Sequence, residues 1–254
     1  MVFVDTHAHL FDMKKCYAIP PDIYPVVIGY SHSSNKKAAE IAEKNKYPYA
    51  LGIAPQTTIK EGTDRLDEWV AFIKSKRPNA IGEIGLDYKW AETKEHVDGQ
   101  KLVFRRMIGL ADEMGLPLVI HSRNNPRPET DDGKQETGDG VPKDAIEDII
   151  DMTKGKRILM HFYSGSEEQA LRIAGSGGYI SIIHLRSKER RKVINSVPLD
   201  RLLVESDSPF VGKTPETVRE AVAYIAEVRG ISPEEVAEAT AGNAMRFFGF
   251  ELKR

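Results

Sequence analysis

The chain has a single cysteine, Cys16, in 254 residues. An intrachain disulfide is therefore impossible, as is a zinc site built on several thiolates. Neither sign of charge is in excess: 36 Lys and Arg stand against 38 Asp and Glu, for a net charge of −2. No global basic field draws in nucleic acid, so a polyanion has to be gripped by local cations or by metal. No stretch reaches the ~18–20 consecutive apolar residues of a membrane span. The first residues lack a basic cluster followed by a long apolar run, and a cytoplasmic protein is expected. Nor does a Gly-rich phosphate loop follow the first apolar run; Asp5-Thr6-His7-Ala8-His9 occupies that place.

What the chain does have is alternation. Short apolar runs recur at Val2–Val4, Val26–Gly29, Ala50–Ile53, Ala80–Ile84, Leu118–Ile120, Ile158–Met160, Tyr179–Ile183 and Leu202–Val204. Segments of helical period separate them, such as Leu66, Val70, Ile73 and Val103, Met107, Leu110, Met114. Near-continuous apolar strands between helices indicate a parallel sheet covered on both faces. Eight such units in a chain of this length predict an α/β fold, a (β/α)8 TIM barrel, as one hydrolase domain over 1–254. Capping boxes at Ser166–Gln169 and Ser232–Glu235 mark two helix starts, and Thr214-Pro215 marks a third. Only 124–140 breaks the rhythm, being polar and rich in Pro, Gly and acids. It reads as a loop inserted between the fifth strand and its helix.

In such a barrel the residues at strand C-termini line the catalytic mouth. His7 and His9 follow the first run, Glu83 sits at the fourth, His121 follows the fifth, His161 the sixth, and Asp207 the eighth. Residues two apart on a strand project to one side, so His7 and His9 aim into a common space. Singly, each of the six has an ordinary explanation: a hydrogen-bonded histidine, a paired carboxylate, or a helix N-cap at Asp207. Their recurrence at one structural step favours a metal site, with nitrogen and carboxylate donors suited to Zn, Mn, Fe or Ni.

At these residues the chain resembles the TatD family of metal-dependent deoxyribonucleases, within the amidohydrolase-like barrels. The likeness rests on Asp5-Thr6-His7-Ala8-His9-Leu10, on Gly82-Glu83-Ile84-Gly85-Leu86-Asp87-Tyr88, and on Ile120-His121-Ser122-Arg123. It continues through His161 with Ser164-Gly165 and through Pro198–Leu203 to Glu205-Ser206-Asp207-Ser208-Pro209. The resemblance implies two divalent ions, Mg, Mn or Zn. His7, His9 and Asp207 would hold one, His121 and His161 the other, and Glu83 would bridge them. Asp207 and Glu83 are the expected catalytic residues, with Asp207 also a proton acceptor. Asp5, Asp87, Arg123 and Glu205 are candidates for orienting ligands or substrate.

The expected function is hydrolysis of DNA phosphodiester bonds with a metal-activated water. Three departures from the family keep a second reading open. Ala54 replaces a His in the Gly-x-His-Pro step, the loop after Pro209 is short, and 124–140 is acidic enough to repel a long polyanion. The second reading is hydrolysis of another ester or amide, including an aminoacyl-tRNA ester, and the third is a barrel that binds without catalysis. The run Arg186–Lys192 is either a phosphate grip or a solvated helix face. The partner is thus DNA or a small phosphodiester or ester, with no membrane.

Overall fold

The apolar runs of the sequence are rich in β-branched residues, which pack well on a pleated surface, and each becomes a strand. The computed structural model describes residues 1–13, 17–125 and 140–252. Cys16 and all but the ends of the expected insertion, 126–139, lie outside them. The strands are β1 (Phe3–Ala8), β2 (Ile23–Ile28), β3 (Tyr49–Leu51), β4 (Ala80–Asp87), β5 (Leu118–Arg123), β6 (Ile158–Met160), β7 (Tyr179–Ile182) and β8 (Leu202–Val204). They form one eight-stranded parallel sheet in sequential order. A parallel bridge between Ala8 and Ser208 brings β1 against the end of β8 and closes the ring.

Helices cover the outside. α1 (His32–Asn45) follows β2, α2 (Pro55–Glu61) and α3 (Leu66–Lys76) follow β3, and α4 (Lys94–Met114) follows β4. Next come α5 (Ala145–Met152), α6 (Glu167–Gly175) and α7 (Lys188–Ser196), after β5, β6 and β7. α8 (Val218–Arg229) and α9 (Pro233–Phe248) end the series. Both expected capping boxes are formed, Ser166 with Gln169 and Ser232 with Glu235. Thr214-Pro215 opens a short 3-10 turn that leads into α8.

Alternation within the strands separates two cores. Val4, Val26, Ile28, Ala50, Val119, Leu159 and Leu203 point into the barrel, where Ala241, Ala244, Phe247 and Phe248 of α9 meet them. The outward residues of the strands pack on helix faces, among them Trp69 and Ile73 of α3 and Phe104 and Met107 of α4. Each large side chain buried in this way contributes about 1.5–3 kcal/mol. α9 thus plugs the N-terminal end, held by Asn243 Nδ2 donating to the carbonyls of Leu199 and Leu202. The opposite end is left to the loops. Among the described residues no helix is long and apolar enough to cross a membrane.

The strands that carry chemistry run further than hydrophobicity alone suggests. β1, β4 and β5 extend through His7, Glu83 and His121, which lie inside the ladders rather than after them. Polar residues can occupy these positions because the barrel interior opens at this end.

Candidate metal centre

Two of these strands are irregular where the chemistry begins. The register of β1 shifts between Asp5 and Ala8, and that of β4 between Ile81 and Ile84. Such irregularities bend a strand and re-aim its side chains, and here they bracket His7 and Glu83. Gly85 makes the β4 bend possible: its φ is +136°, and a Cβ there would stand 2.1 Å from the His121 carbonyl oxygen. Asp207 adopts φ +49° and Phe162 φ +44°, left-handed conformations that are costly for a non-glycine residue. Both follow strand ends that point at the cluster.

All six expected residues meet around Glu83. Its Oε2 lies 3.3 Å from His7 Nε2 and 3.9 Å from His9 Nε2. Its Oε1 lies 3.0 Å from His121 Nδ1 and 3.6 Å from His161 Nε2. His9 Nε2 is 3.5 Å from Asp207 Oδ1 and 3.2 Å from His7 Nε2. The His7 and His161 rings stack, with centroids 3.8 Å apart. Donor atoms of His7, His9 and Asp207 fall into one compact group, and those of Glu83, His121 and His161 into another. A third group joins His7, His161 and Glu205.

Three of the imidazoles have one nitrogen pinned from behind. His9 Nδ1 donates to the carbonyl of Ile28 at 2.8 Å, His161 Nδ1 to Glu205 Oε1 at 3.2 Å, and His121 Nε2 to Asp87 Oδ2 at 2.8 Å. In neutral rings the opposite nitrogens then carry bare lone pairs, and those lone pairs face the Glu83 and Asp207 carboxylates. Lone pairs facing anions in a buried site need a cation between them, supplied either by added protons or by a metal ion. The donor set of imidazoles and carboxylates fits a divalent metal.

The electrostatics tell the same story. Burial works to raise the Glu83 carboxyl, but the His121, His161 and His7 rings outweigh it and hold the group well below the usual carboxylate range. Burial works to depress His161, and Glu205 and Glu83 override it to push this imidazole well above its ordinary value. His9, beside Asp207 and Glu83, and His121, beside Asp87 and Glu83, are likewise raised against the effect of burial. His7 is the exception, lowered by burial and by its stacked neighbour His161.

The outer candidates divide. Asp87 and Glu205 are fully buried behind His121 and His161, and Glu205 Oε1 also accepts the Phe162 N–H at 2.6 Å. Asp5 is a tie between strands: its carboxylate accepts the Ser206 N–H at 2.8 Å and hydroxyl at 2.6 Å. Burial pushes it up to about 7 against those hydrogen bonds. Arg123 is exposed at the end of β5, where its carbonyl accepts the Tyr88 N–H. Sequence reasoning missed Gln56. Its amide donates to Asp87 Oδ2 at 2.7 Å and lies 3.1 Å from His121 Nε2. The absent family histidine at Ala54, two residues earlier, was the only signal pointing to the start of α2.

The basic run also divides. Arg186 pairs with Glu227 and Lys192 with Glu189, as expected of a solvated face. Arg190 turns inward instead, donating to the carbonyls of Leu185 and Tyr163, with its guanidinium 5.9 Å from the Phe162 ring centroid. Its Nε is buried and has no hydrogen-bond partner among the described residues.

Known proteins resemble this chain along most of its length. The family model described as TatD related DNase matches residues 4–249. A metal-dependent hydrolase of Bacillus subtilis, YabD, is 32% identical over 245 residues, covering 88% of this chain and 86% of its own length. Human deoxyribonuclease TATDN3 is 34% identical over 209 residues, covering 78% and 70% respectively. Among solved structures, the TatD homologue YJJV of Escherichia coli superposes with a TM-score of 0.76 at 24% identity, over 98% of each chain.

Proposed function

The chain belongs to the TatD-related DNase family of metal-dependent hydrolases, and we propose that it hydrolyses phosphodiester bonds in DNA. The observation that carries this reading is the ring of pinned imidazoles whose free nitrogens converge on Glu83. In the proposed arrangement His7, His9 and Asp207 would hold one divalent ion and His121 and His161 a second, with Glu83 available to both. Mg, Mn or Zn are the candidates, the imidazoles suiting Zn and the carboxylates suiting Mg or Mn. Bound there, the ions supply Lewis acidity that polarises a phosphoryl oxygen and acidifies a water.

The remaining steps belong to the protein. Asp207, at the edge of the cluster and held below the usual carboxylate range despite burial, takes the proton from the attacking water. Glu205 and Asp87 fix the faces that His161 and His121 present, so no side-chain reorganisation is needed during reaction. Arg190, a cation beside Phe162, the residue after His161, is the candidate to meet a non-bridging phosphate oxygen.

The test is cleavage of end-labelled single-stranded DNA by protein loaded in turn with Mn, Mg, Zn and Co. Asp207→Asn is expected to slow cleavage by at least about 100-fold, the scale of losing a positioned general base. Small esters and an aminoacyl-tRNA run in parallel. Turnover of these with no DNA cleavage under any metal would replace the proposal with the other-ester reading.

A further inference from the structure

Among the described residues two aromatic side chains are exposed, Trp90 at 56% and Phe210 at 61%. Both follow strands at the catalytic end, β4 and β8, which lie on opposite sides of the ring. Phe210 stands in a connected set of rings. Its centroid is 5.0 Å from that of His9 and 6.1 Å from that of Tyr30. Tyr30 is 5.2 Å from His9 and 5.8 Å from Phe11, which is itself 6.0 Å from His9. The surface therefore begins at an imidazole of the metal centre and ends in solvent.

The inner rings are anchored. His9 is fixed by the Ile28 carbonyl, and Tyr30 donates its hydroxyl to Asp12 Oδ2 at 3.0 Å. A wall that merely packed His9 would account for Tyr30 and Phe11, which are partly buried. It would not account for Phe210, whose ring offers most of its area to water directly beside the site. A planar ligand with an apolar face matches that surface, and on a phosphodiester substrate the planar group nearest the cleaved bond is a nucleobase.

Building on the phosphodiesterase reading, we propose that Phe210, backed by Tyr30 and Phe11, is a stacking subsite for the nucleobase adjoining the scissile phosphate. A base inside a duplex has both faces occupied by its neighbours. The subsite therefore takes a base at a strand end or in a single strand, and it is tolerant of sequence because every base has a π-face.

The experiment uses the full chain with metal, a single-stranded oligonucleotide, and the same oligonucleotide with an abasic residue at one or the other end. Phe210→Ala is expected to raise KM on the intact strand by about tenfold, within the range of one lost base stack, with kcat nearly unchanged. It leaves KM on the strand lacking the relevant base unchanged, while Phe210→Trp restores tight binding of the intact strand. An equal change on both kinds of strand, or none on either, overturns the subsite while leaving the phosphodiesterase reading intact. Failure of the metal-loaded wild-type protein to cleave any DNA overturns both. Circular dichroism establishes that each variant is folded, which an exposed position favours.

Discussion

Glu83 sits at the point where four imidazoles converge, and its buried carboxylate is tolerable because a proton or a metal ion between it and their facing nitrogens supplies the compensating charge. The same logic explains Asp87 and Glu205, which hold the outer nitrogens of His121 and His161. Arg190 shows how much one residue's orientation matters within a run. Its neighbours Arg186 and Lys192 are spent on surface carboxylates, where an ion pair contributes about 0–1 kcal/mol. Arg190→Ala should weaken binding of all single strands alike. It should also lower the slope of log affinity against log salt by about 0.7, the share of one phosphate contact on a single strand. Fluorescence anisotropy of a labelled oligonucleotide across a salt series measures this; an unchanged slope would remove Arg190 from phosphate binding.

At the scale of elements, the site depends on departures from regularity. The shifted registers of β1 and β4 aim His7 and Glu83, and the left-handed residues Phe162 and Asp207 turn the chain sharply beyond β6 and β8. Regular elements do the opposite work of holding the frame still. α9 starts at a reciprocal capping box, Ser232 with Glu235, and its far end reaches into the barrel bottom through Phe247 and Phe248. Ser232→Ala should therefore cost about 1 kcal/mol, the usual loss for an N-cap hydroxyl. A urea titration reads this as a lower midpoint at constant slope. Activity per folded molecule stays the same, because the cap lies at the end of the barrel away from the metal centre.

For the molecule as a whole, stability and chemistry occupy opposite ends of one barrel. The apolar interior and the α9 plug fill the N-terminal end, while the C-terminal end gathers buried histidines and carboxylates that stabilise little without a cation. A divalent ion bound only by the folded chain should therefore raise stability, by about 2.7 kcal/mol at a hundred times its Kd. Chelation is expected to lower the melting temperature, and restoring Mn or Zn to raise it again in proportion to the logarithm of metal concentration. A melting temperature indifferent to chelator and to added metal would count against ligation by this cluster.

Much of this was legible in one dimension. Apolar runs at regular intervals predict eight strands because burial on both faces demands near-continuous hydrophobicity, and the ring of strands follows. His7, His9, Glu83, His121, His161 and Asp207 stand out because each ends or interrupts such a run. Three features were not legible. Gln56 reaches Asp87 and His121 only because β3 and β4 are neighbours, Arg190 turns toward the Tyr163 carbonyl and the Phe162 ring, and Phe210 joins Tyr30 and Phe11 from separate segments. Local pattern is enough for strands and for residues at their ends, since both depend on periodicity and position along one segment. Which nitrogen of each histidine is pinned, which cation turns inward and which ring stays in solvent depend on contacts between distant segments. Those contacts come into being only when the barrel closes.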